Sequence, residues 1–207
     1  RQGSRWIPAF AGMTDLCLRY LCIFIIMFCF LGITPTHAVT ITEVTSPKGI
    51  KAWLVEDHKL PLIAVQFAFR GGVEQDPADK QGLANLTTNL LTQGAGSYDA
   101  SAFQQALADH SIALKFTASR DQLVGSAKFL TSDNDKAFEL LHLALTSPRF
   151  DDKDIERERG QQLAAIRAQV GSSDWQARYA LFQHIFNKHP YGMRRLGSTE
   201  TLAAIKR

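Results

Sequence analysis

Beyond Cys29 the sequence contains no cysteine; the three it has, Cys17, Cys22 and Cys29, all lie near the start of 207 residues. From there onward a disulfide framework, a thiol nucleophile and a thiolate metal site are excluded. An excess of one charge is missing too. The formal net charge is +3, and Arg1, Arg5, Arg19 and Asp15 together supply +2 of it. Residues 39–207 are therefore close to neutral, and no basic patch argues for nucleic acid as a partner. Long apolar runs are also lacking. The run Leu21–Ile33 spans 13 residues, whereas a membrane-crossing helix needs roughly 20. There is no internal repeat and no low-complexity tract.

What is present is an ordinary globular composition, 45% hydrophobic and 21% charged, enough for one substantial domain. The apolar run follows Arg19 and precedes TPTHA, with Thr36 and Ala38 at the −3 and −1 positions of a cleavage site. That is a secretory signal pattern. Residues 13–38, starting at Met13, are expected to be a signal peptide cut after Ala38. The mature chain is then periplasmic; an uncleaved segment 21–33 would instead anchor it in the inner membrane. The preceding residues 1–12 are read as a non-native leader of translated-repeat character, and residues 39–207 as the domain.

Along that domain, IKAWLVE (50–56) and LIAVQFAF (62–69) read as strands, joined by a turn at DHKLP. Residues 79–93 carry Leu83, Leu86, Leu90 and Leu91 at helical spacing, closed by Gly94. A second helix follows, capped by Asp99. Strands 112–119 and 122–130 form a hairpin around Arg120 and Asp121. Helices are then expected at 133–146 (capped by Ser132), about 152–170 (capped near Asp151), about 174–187, and from Ser198 onward. The order β-β-α-α-β-β-α-α-α implies an α+β fold, a mixed or antiparallel sheet with helices packed on it.

One helical stretch, GLANLTTNLL (82–91), sets Asn85 and Asn89 four apart on one face, with Thr88 beside them. Its surroundings, PLIAVQFAFRGGVEQDPADKQGLANLTTNLLTQGAG, resemble the opening of the pitrilysin/insulinase (M16) family of zinc peptidases. The resemblance continues through FDDKDIERERGQQLAAIRAQ and HPYGMRRLGSTETLAAIKR, covering nearly all of 39–207. In that family a helix bears H-x-x-E-H: two histidines bind zinc and the glutamate deprotonates the metal-bound water. A glutamate from a later helix is the third ligand.

The resemblance places the first histidine at Asn85, the glutamate at Thr88 and the second histidine at Asn89. The distal ligand, aligned on ERERGQQLAAI, falls on Ala165; Glu158 matches a supporting acidic position and is retained. An amide oxygen is a poor zinc ligand beside imidazole, and a threonine hydroxyl takes no proton at neutral pH. No zinc, no cofactor and no catalytic residue are therefore expected. His58, His110, His142, His184 and His189 supply no replacement site, since no two share one helical face at i, i+3 or i+4.

Arg70, Gly71 and Gly72 end a strand whose edge, in the family, lies near bound substrate, so they are candidate substrate contacts by strand addition. Two-chain members of the family pair a zinc-bearing subunit with one that has lost the motif. The resemblance thus implies a non-catalytic subunit that helps form the peptide-binding chamber of a catalytic M16 partner with an intact zinc motif. Two alternatives stand beside it: an active zinc-dependent metalloendopeptidase, and a non-functional gene fragment. Full subunits of the family are longer, and the sequence stops inside a helical pattern, so the fold is expected to be incomplete at the C-terminus.

Overall fold

The computed structural model describes residues 39–206, together with Tyr20, Leu21, Ile23 and Phe24. The leader, the three cysteines and the cleavage site after Ala38 lie outside the described residues. The chain divides into two compact units, one up to Asp57 and one from His58 onward.

In the first unit, β1 (Ile41–Thr45) and β2 (Lys51–Val55) form an antiparallel hairpin, paired from Ile41 opposite Val55 to Thr45 opposite Lys51. Its turn is closed by Ser46 and by Gly49, which sits at φ +83°. A Lys51–Glu43 ion pair of 2.8 Å bridges the strands. All residues of both strands are exposed, Trp53 to 81%. The sequence reading had β2 but not β1, because ITEVT is short and gains its strand character only from its partner.

The second unit is built on a three-stranded antiparallel sheet. β3 (Leu62–Arg70) pairs with β5 (Gln122–Leu130) from Leu62 opposite Leu130 to Arg70 opposite Gln122. β4 (Ala113–Ala118) pairs with the other side of β5, giving the order β3-β5-β4. Gly125, at the centre, faces Phe67 on one neighbour and Phe116 on the other. The Phe67 ring occupies the space a Cβ at 125 would need, and it meets Phe116 edge to face at 6.3 Å. The Phe67 ring fills the site of the missing side chain, which is what makes glycine tolerable inside a central strand.

Six helices complete the second unit: α1 (Leu83–Leu90), α2 (Ala100–Asp109), α3 (Asn134–Thr146), α4 (Asp152–Val170), α5 (Ser173–Phe186) and α6 (Thr199–Ala204). Two apolar clusters hold them. Phe103 and Leu107 of α2 and Leu140 of α3 meet Phe116 and Phe129 of the sheet. Leu86 and Leu90 of α1 meet Ile155 and Ile166 of α4, Leu202 of α6 and Ile205. Each cluster draws on helical positions three or four apart, as an amphipathic stripe requires. The α+β class and the antiparallel sheet are as the sequence implies.

Three boundaries differ from the sequence reading. Residues 78–80 form a separate 3-10 turn, so α1 starts at Leu83 and not at 79. Ser132 does not cap α3: residues 131–133 are themselves a 3-10 turn, and the Ser132 hydroxyl donates to Asp133 at 2.7 Å. Asp151 stands at the cap of α4, but its carboxylate accepts from Arg149 Nε at 2.8 Å and makes no capping bond. By contrast, Asp99 caps α2 as expected, accepting from the Ala102 amide at 2.8 Å.

Candidate functional site

The helix of interest, α1, is fixed at its start by a residue from outside it. The Asp76 carboxylate accepts from the Gly82 and Ala84 amides, both at 2.9 Å, and so satisfies donors a helix N-terminus leaves orphaned. Burial pushes the Asp76 carboxyl above its ordinary range, opposed by the amides of Ala84, Gly82 and Leu83. Gly82 takes φ +94°, and the Leu196 carbonyl stands where its side chain would be. Gln162, buried on α4, donates from Nε2 to the carbonyls of Gly82 (3.0 Å) and Leu196 (2.9 Å). One amide thus ties together the start of α1, the middle of α4 and the loop before α6.

On that frame the three motif positions of α1 differ sharply. Asn85 turns away and donates from Nδ2 to the Arg195 carbonyl at 2.8 Å. Thr88 is 2% exposed, and its hydroxyl bonds back to the Asn85 carbonyl at 2.9 Å. Asn89 is exposed and lines an open cleft of about 420 Å³ with Thr88 and Thr92. The opposite walls are Leu114, Lys115 and Phe116 of β4, and Arg157, Glu158 and Gln161 of α4. Glu158 is only 5% exposed and lies 3.5 Å from Arg157 Nε. Arg157 is further held by Asp154 at 2.5 Å and by Gln93 at 2.6 Å. Ala165 lies two turns beyond Glu158, is exposed, and is not among the cleft's lining residues.

These donors do not fit a catalytic zinc ion. The cleft offers an exposed amide, a hydroxyl already bonded to its own helix, and one carboxylate beside a guanidinium. Neutral nitrogen donors are lacking there, and the position aligned with the third ligand is a methyl group. Among the described residues no group of three or more His, Cys, Asp and Glu converges as a metal site. Of the histidines, His110 Nδ1 lies 2.6 Å from Asp133, and His189 accepts from the Tyr191 amide at 3.2 Å, closing the turn at 190–192.

Arg70, Gly71 and Gly72 are placed elsewhere, at the end of β3 against the β4–β5 turn. The Gly71 amide donates to the Asp121 carbonyl at 2.8 Å. A side chain at 72 would collide with the backbone of Ser119 and Arg120. The strand that borders the cleft is instead β4, an edge of its sheet. Sequence reasoning missed this wall, because strand order is not written in local periodicity. The signal nearest to it is the hairpin around Arg120-Asp121, which fixes that β4 lies beside β5.

Known proteins share this sequence pattern and fold. The family model for insulinase, peptidase family M16, matches residues 52–199. A Helicobacter pylori protein named non-peptidase homolog YmxG is 30% identical over 177 residues, covering 86% of this chain and 40% of that protein. The crystal structure of a peptidase M16 inactive domain from Pseudomonas fluorescens superposes with a TM-score of 0.75 at 24% identity, covering 81% of this chain and 41% of that one. A protease structure from Helicobacter pylori gives a TM-score of 0.70 at 18% identity, over 82% and 41%. The two structures share the fold; the chain spans well under half the length of each of these three proteins.

Proposed function

The chain belongs to the insulinase (M16) peptidase family, and from that premise we propose that it is a non-catalytic member, a wall of a peptide-binding chamber whose chemistry is done by a zinc-bearing partner. The observation that carries this reading is the cleft between α1, β4 and α4. It is polar and open, it borders the helix that the resemblance aligns with the zinc-binding one, and its residues offer no donor set for a metal and no base to activate water. The names of two proteins it resembles, a non-peptidase homolog and an inactive domain, support the same reading. Among the described residues β4 pairs only with β5, which leaves its other edge along the cleft, and an extended peptide can add to such an edge through main-chain hydrogen bonds. The signal pattern before residue 39 supports a periplasmic site for this work.

The test is co-purification. A C-terminally tagged full chain is recovered from an envelope extract of its host, and the captured proteins are identified by mass spectrometry. The expected result is an M16 chain with an intact H-x-x-E-H, and zinc-dependent peptidase activity in the eluate. Recovery of soluble, folded bait with no such chain contradicts the proposal.

A further inference from the structure

A second cleft, of about 480 Å³, lies beyond the end of β4, and its lining contains four arginines and no acidic residue. It is bounded by Ser119 and Arg120 of the β4–β5 turn, by α5, and by residues 191–195. Aromatic rings hold two of the arginines in place. Arg120 lies 4.9 Å from the Phe182 ring and 5.3 Å from the Tyr191 ring, and donates to the Tyr191 carbonyl at 2.6 Å. Arg194 lies 5.0 Å from the Tyr179 ring and 5.8 Å from that of Trp175, and those two rings stack at 5.0 Å. Such contacts orient a guanidinium without neutralising it.

The charge of this cleft is only partly answered. Arg178 pairs with Asp174 at 2.6 Å on the open surface. Asp121 is engaged by the Tyr191 hydroxyl. The Glu200 carboxylate accepts from the Ser198 hydroxyl at 2.6 Å, which, with Arg194 as a lesser cause, holds it below its ordinary range. Among the described residues neither Arg194 nor Arg195 has a carboxylate within ion-pair distance. Guanidinium forks match carboxylates in a planar, two-point geometry.

Position selects the kind of ligand. Phe116 lines the first cleft and Ser119 the second. A strand rises about 3.3 Å per residue, so the two sites are about 10 Å apart along one sheet edge. We propose that the arginine-lined cleft is a specificity subsite that receives the carboxylate side chains of a peptide lying along β4. The inference rests on the peptide-binding reading above and names the substrate class: acidic peptides, with the acidic residue about three positions from the residue beside Phe116. Nucleic acid is disfavoured because the stacked rings are already covered by one another and by Arg194, and the rest of the chain is nearly neutral.

The experiment is fluorescence anisotropy on the full chain with two dye-labelled octapeptides, one carrying Glu and Asp with a Phe, the other its Gln and Asn twin. The acidic peptide is expected to bind about tenfold tighter, the weight of roughly one charge-assisted hydrogen bond. Arg194→Gln with Arg195→Gln is expected to erase that preference, while Lys153→Gln, an exposed charge on α4, leaves it intact. Arg195→Gln alone serves as the second variant if the double one loses its cooperative melt, and is expected to reduce the preference. Equal binding of the two peptides overturns the inference. So does a folded arginine variant that keeps the preference, or displacement of the peptide by an equal concentration of inorganic phosphate. Capture of the zinc-bearing partner is measured separately. A chain that captures its partner but shows no acidic preference sinks this subsite alone; a chain that captures none sinks the chamber reading.

Discussion

At the scale of single residues, the site shows how a peptidase helix survives without its chemistry. Asn85, Thr88 and Asn89 keep the polar face, but two of them spend their side chains on backbone carbonyls, Asn85 on that of Arg195 and Thr88 on one of its own helix. The residue that holds the frame is Gln162, which the sequence gives no reason to single out. Its partners are carbonyls 80 and 34 positions away. Gln162→Met conserves volume and removes both bonds, at an expected cost of about 1–2 kcal/mol, read as a lower urea midpoint at unchanged m-value. A second residue sets a pH response. The hydrogen bond from His110 holds the Asp133 carboxyl below the ordinary aspartate range, with help from Ser132. A depressed carboxyl stabilises the fold above its unfolded value, about pH 4. That contribution is lost as pH falls through the folded value. Asp133→Asn is therefore expected to be less stable than the parent at neutral pH, with the gap in urea midpoints closing as pH is lowered through that range.

At the scale of elements, the six helices and four of the five strands of residues 39–206 were legible from periodicity and caps. Asp99 and Ser198 cap α2 and α6, and the apolar stripe of α4 buries Ile155 and Ile166. What was not legible depends on distant partners. The start of α1 moved because its cap is Asp76, across an intervening 3-10 turn and Gly82. β1 exists only as the partner of β2. The place of β4 at the sheet edge, and so the wall of the cleft, follows from strand order alone. The packing of β5 yields a test of register. Gly125→Ala would drive a methyl group into the Phe67 ring, and overpacking of this kind costs about 1–3 kcal/mol. Phe67→Leu in the same chain relieves the collision. A double-mutant cycle is expected to show favourable coupling between 125 and 67, and additive effects would mean that the two strands are not in this register.

At the scale of the whole molecule, the two units carry different kinds of stability. The hairpin β1–β2 is exposed throughout, and an isolated two-stranded hairpin is marginal in water. β5 is flanked on both sides and contributes Ala127 and Phe129 to a closed core. Hydrogen exchange followed by mass spectrometry is expected to label 41–45 and 51–55 well before 122–130. Protection of the hairpin equal to that of β5 would contradict that ordering.

The family fold is retained, and the residues that the resemblance sets at the metal positions, Asn85, Thr88, Asn89 and Ala165, lack the donor chemistry for zinc. Calorimetric titration of zinc into the full chain, with metal content measured after dialysis and hydrolysis of a quenched fluorescent peptide followed in parallel, tests this most directly. No stoichiometric site tighter than about 1 μM and no zinc-dependent cleavage by the chain alone are expected. One zinc ion held per chain, with hydrolysis that a chelator abolishes and zinc restores, would contradict it.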